Sequence, residues 1–100
     1  MKSKIKLNKS QVDTLKRLIF NNGVDYQCII ATEELSELIK EVTKMIRSEG
    51  NIDNLVEEIA DVFIVVSQLI LMFDIDCRKI DKVIDFKIGR LKTKLDKVAT

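Results

Sequence analysis

The sequence predicts an all-α fold, an antiparallel helical bundle of about four helices formed by one domain over residues 1–100. Three observations predict it. There is no proline and there are only three glycines in 100 residues, so little interrupts helices. Apolar residues recur at intervals of three and four along most of the chain. Short polar clusters containing Asn, Asp and Gly separate the periodic stretches and are too brief for long loops. Ile and Val also suit strands, and here their spacing decides for helices.

The first helix is expected over Lys9–Phe20, with Val12, Leu15, Leu18 and Ile19 on one face, Asn8 or Ser10 as its cap, and Asn21-Asn22-Gly23 as its stop. The second runs over Asp25–Arg47, where Ala31, Leu35, Leu38, Ile39, Val42 and Ile46 form one stripe. Ser48-Glu49-Gly50-Asn51 ends it. Asn51 or Asp53 then caps a third helix that reaches Phe73. Asp74-Ile75-Asp76 is a short break. The fourth helix covers Asp76–Lys97, with Ile80, Val83, Ile84, Ile88, Leu91 and Leu95 inward. A helix of about 23 residues spans about 35 Å, long for so small a chain. Such rods bury their stripes best against a second subunit, so a core completed by homo-oligomerisation is expected.

Composition narrows the chemistry. Seventeen basic and sixteen acidic residues leave a net charge of +1, so nucleic acid and anionic membrane are not expected as partners. The run Val62–Phe73 is apolar except for Ser67 and Gln68, too short for a bilayer span of about 20 residues. MKSKIKLNKS has charge but no apolar stretch of the kind a secretory leader needs. Cys28 and Cys77 lack a CxxC partner and read as reduced, packed thiols, consistent with a cytoplasmic protein. Histidine is absent. That removes a histidine general base, Ser–His and Cys–His pairs, and histidine-ligated zinc or di-iron sites. Carboxylates or metals must carry any catalysis.

The carboxylates are patterned. Glu34, Glu37 and Glu41 fall within about 60° of one another on the second helix and border its apolar stripe. Like charges at this spacing cost up to about 0.5 kcal/mol per pair on an isolated helix, which a divalent cation would offset. On the third helix Glu58 and Asp61 share a face, and Glu58 lies between Val62 and Val65 inside the apolar arc. Its neighbours at three and four residues are Asn54, Leu55, Asp61 and Val62, none of them basic. A buried carboxylate needs a partner, and a metal ion is the natural one. Two adjacent helices each presenting carboxylates at i, i+3 make an all-oxygen site, suited to Mg²⁺ or Mn²⁺ rather than zinc. The competing reading is a non-catalytic interaction module whose acids lie on solvated faces.

The arrangement Glu-Glu-x-x-Glu, about twenty residues, then Glu-x-x-Asp resembles the MazG family of all-α nucleoside triphosphate pyrophosphatases, a superfamily that includes dimeric dUTPases and dCTP pyrophosphatases. It reads ATEELSELIKE (Ala31–Glu41) and EEIADVFIV (Glu57–Val65), and the likeness covers about Tyr26–Lys94. The resemblance implies Mg²⁺ ligands at Glu34, Glu37, Glu58 and Asp61. It implies hydrolysis of an NTP or dNTP between the α and β phosphates, and a homodimer or homotetramer. It also implies that the basic face at Lys87, Arg90 and Lys94 contacts the triphosphate, with Gln27 and Asp85 as further candidates for nucleotide contact. Glu37 and Glu41 are the candidates for orienting or deprotonating the attacking water. The chain departs from some relatives in having no Trp and only Tyr26 among tyrosines, so the supply of rings for base stacking is poor.

Overall fold

The structure, a computed structural model, describes residues 6–99; the N-terminal segment read for a leader lies partly outside them. Four helices are present among the described residues and no strand: α1 (Lys9–Asn22), α2 (Val24–Ile46), α3 (Ile52–Met72) and α4 (Cys77–Ala99). The expected boundaries shift by one or two residues.

Local chemistry settles the caps that the sequence left as alternatives. Asn8 caps α1 through a reciprocal box: the Gln11 N–H donates to Asn8 Oδ1 at 2.8 Å, and the Asn8 N–H donates to Gln11 Oε1 at 2.9 Å. Asn51 caps α3, accepting from the N–H groups of Asp53 and Asn54. Only Gly23 separates α1 from α2. Its φ of 91° and ψ of 157° are open to glycine and strained for other residues.

α2 and α3 end alike. Ser48 and Asp74 each adopt the left-handed conformation. The next N–H in each case reaches back five residues: Glu49 to Lys44 O at 2.9 Å, and Ile75 to Ile70 O at 3.0 Å. Glycine usually holds this position because a Cβ is penalised there. Ser48→Gly is therefore expected to stabilise the protein by about 0.5–1 kcal/mol. A higher urea midpoint at unchanged slope would show it; a lower midpoint would contradict it.

α1, α2 and α3 pack on one another, most extensively α2 on α3, and α4 has no comparable contact with any of them. Gln27, near the start of α2, meets Gln68, near the end of α3; Glu34, further along α2, lies beside Glu58 and Asp61, earlier in α3. The apolar core is small, with Leu15, Ala31 and Val65 buried, and Gln27, Glu41 and Gln68 are buried with it. The inward stripe expected on α4 is not buried within one chain. Ile80 is half-buried, and every residue from 81 to 98 is exposed, Leu91 at 53%. On α2, Leu35, Ile39, Val42 and Ile46 are exposed too. The physical reason is geometric: three helices in contact cover one face of each rod, and α4 packs on none of them to a comparable extent. Both thiols are free; Cys28 is half-buried and Cys77 exposed, so Cys77 is not the packed thiol the sequence suggested. No helix among the described residues is long and apolar enough to cross a membrane.

Candidate metal centre

Periodicity on two neighbouring helices builds the centre. Glu34 projects from the third turn of α2, and Glu58 and Asp61 from successive turns of α3. One carboxylate oxygen from each of the three lies within 4.8 Å of the others, and all three residues are half-buried. No lysine or arginine forms an ion pair with them among the described residues; the pairs there involve Glu37, Glu41, Glu49, Asp76 and Asp96.

The fourth expected ligand, Glu37, stands at the edge of the group. Its carboxylate lies 3.7 Å from Lys40 Nζ on the solvent side. It is still close enough for its charge to act on Glu34 and Glu58. Glu41 is only 7% exposed. Its Oε2 accepts from Lys44 at 3.3 Å, while its Oε1 is buried and has no partner. Glu58 Oε2 is the second buried oxygen without a partner. Buried polar atoms normally find one, and a divalent cation could supply it to these two carboxylate oxygens on neighbouring helices.

Electrostatics agree. Desolvation by burial raises the Glu34 pKa above its ordinary 4.5, followed by the Asp61 charge, a side-chain hydrogen bond with Asp61, and the charges of Glu58 and Glu37. The Glu58 pKa is raised by desolvation first, then by Asp61, Glu37, Glu41 and Glu57. The folded state thus holds these protons more tightly than the unfolded chain. Its advantage is complete below the ordinary pKa and is lost as pH rises through the raised values. Without divalent cations, the melting temperature is expected to fall as pH climbs above 4.5, the ordinary value. Glu34→Gln, or saturating Mg²⁺, should flatten that slope. An equal slope in all three samples would show that the carboxylates do not interact.

The basic residues lie elsewhere. Lys87, Arg90 and Lys94 line one exposed, shallow depression on α4 with Leu91, and the Arg90 guanidinium stands 5.9 Å from the centroid of the Phe86 ring. Asp85 is exposed beside them, and a Cβ added at Gly89 would meet nothing within 4 Å. Gln27 is in the interior, 2% exposed, with its amide bonded to Asn22 at 2.9 Å and to Gln68 at 3.2 Å. The sequence reading passed over Gln68, noting it only as a break in an apolar run. Its signal was there: it follows Asp61 by seven residues, as Gln27 precedes Glu34 by seven. Comparison with protein-family models, curated proteins and solved structures finds no match to this chain.

Proposed function

We propose that this chain is a Mg²⁺-dependent nucleoside triphosphate pyrophosphohydrolase of the MazG-like kind, releasing a nucleoside monophosphate and pyrophosphate in the cytoplasm. One observation carries the reading. Glu34, Glu58 and Asp61 bring carboxylate oxygens within 4.8 Å of one another with no basic ion-pair partner among the described residues, and Glu58 and Glu41 each carry a buried oxygen with no partner there. An all-oxygen donor set of this kind fits Mg²⁺ or Mn²⁺.

Glu34, Glu58 and Asp61 hold the cation, with Glu37 within reach of the same site. When bound, Mg²⁺ supplies neutralisation of the triphosphate and stabilises charge on the phosphoryl oxygens in flight. Glu41 or Glu37 orients the attacking water and takes its proton. Lys87, Arg90 and Lys94 bind the β and γ phosphates. They lie on a helix that stands apart from α2 and α3, so a second copy is needed to bring acidic seam and basic face together.

Shape supports an oligomer, and the Gln27–Gln68 and Glu34–Asp61 contacts support an antiparallel α2–α3 pair within it. The Cα radius of gyration is 16.7 Å, against about 13 Å for a compact chain of this length. The accessible surface is 8433 Å², whereas a monomeric protein of 11.5 kDa exposes about 5,800 Å². The excess, roughly 2,600 Å², is of the size that permanent subunit interfaces bury. Pyrophosphate release, measured with Mg²⁺ across a panel of NTPs and dNTPs, tests the reading. No release from any nucleotide, together with no thermal stabilisation by Mg²⁺, would overturn it.

A further inference from the structure

The acidic centre works only if α2 and α3 hold one alignment. The fully buried apolar residues of the two helices are Ala31 and Val65, small side chains that resist sliding weakly. The carboxylates themselves repel and favour separation. The Gln27–Gln68 contact is different. Gln27 Nε2 donates to Gln68 Oε1 at 3.2 Å, with the residues 2% and 1% exposed, and Asn22 Nδ2 at the end of α1 donates to Gln27 Oε1 at 2.9 Å. Seven residues onward along α2 from Gln27 is Glu34, and seven residues back along α3 from Gln68 is Asp61. Both contacts therefore belong to one alignment.

We infer that the buried Gln27–Gln68 amide pair sets the α2–α3 register and so positions Glu34, Glu58 and Asp61 together. A slip of one residue would move a helix by about 1.5 Å and turn its side chains by about 100°, so Glu58 and Asp61 could not both face Glu34. The same slip would strand two buried amides, each with donors and an acceptor that water cannot reach. Apolar side chains of equal size tolerate sliding; a hydrogen-bonded amide pair does not, as buried polar residues that fix alignment in coiled coils illustrate. Asn22 extends the device to α1, tying the first helix to the same point.

The consequence for cation binding rests on the metal reading above; the register itself does not. The test replaces both amides with isosteric methionine in a chain carrying Cys28→Ala and Cys77→Ser. Spin labels at exposed Thr43 and Asp53, diluted with unlabelled protein, report the distance between α2 and α3 within one chain. The parent is expected to show a single distance. Q27M/Q68M is expected to broaden or split it by up to about 5 Å, the rise of one turn, while the melting temperature holds. In parallel, Mn²⁺ affinity should fall about tenfold or more in the paired variant. An unchanged single distance in Q27M/Q68M overturns the inference. If the paired variant does not fold, Gln68→Met alone carries the same distance test. Absence of Mn²⁺ binding by the parent overturns the metal reading, and the distances still decide the register.

Discussion

Asp61→Asn is expected to lower Mg²⁺-dependent pyrophosphate release by about a hundred- to a thousandfold, and Glu58→Gln to do the same. Each removes one of the three converging carboxylates while keeping size and shape. Because the three repel one another, the substitutions should not destabilise the cation-free protein. Its melting temperature should hold or rise by a few degrees, since one like charge is gone. The loss is then separable from unfolding: Mg²⁺ stabilises the parent and fails to stabilise either variant. Glu37→Gln should cost less, because the Glu37 carboxylate already lies beside Lys40. Unchanged release in Asp61→Asn would rule out the assignment, whatever Glu37 does.

The second large effect concerns α4. Ile84, Ile88, Leu91 and Leu95 lie on one face at helical spacing, all of them exposed in a single chain. If a second copy covers that face, Leu91→Asp places a charge in an apolar contact at a cost of about 3 kcal/mol or more. The variant is expected to run as a monomer by light scattering and to melt roughly 10 °C or more lower. The parent's melting temperature should rise with protein concentration, and the variant's should not. An oligomer of unchanged mass in Leu91→Asp, or a parent that is already monomeric, would refute the α4 interface.

The legible features were local. Helix periodicity, Asn at the starts of α1 and α3, and the breaks around Gly23 and Gly50 depend on residues a turn apart. So does the shared face of Glu58 and Asp61. Neither Asn8 over Ser10 nor Asn51 over Asp53 could be chosen from residue type, since all four are good caps; the hydrogen bonds chose. For Gln68 only the spacing was legible, seven residues past Asp61; its role was not, because a polar residue in an apolar run reads the same whether it faces water or a partner amide.

By itself the sequence determined four helices, their approximate ends, and two acidic i, i+3 pairs in a chain without histidine. These follow from side-chain type and the 3.6-residue period. Only the tertiary structure decided which carboxylates meet. It drew Glu34, Glu58 and Asp61 together, left Glu37 beside Lys40, and closed Glu41 into the interior. It also showed the α4 stripe uncovered within one chain, where the sequence placed it inward. The reason is that spacing fixes the face a residue occupies on its own helix, whereas contact depends on the alignment and partner of that face, set by residues tens of positions away.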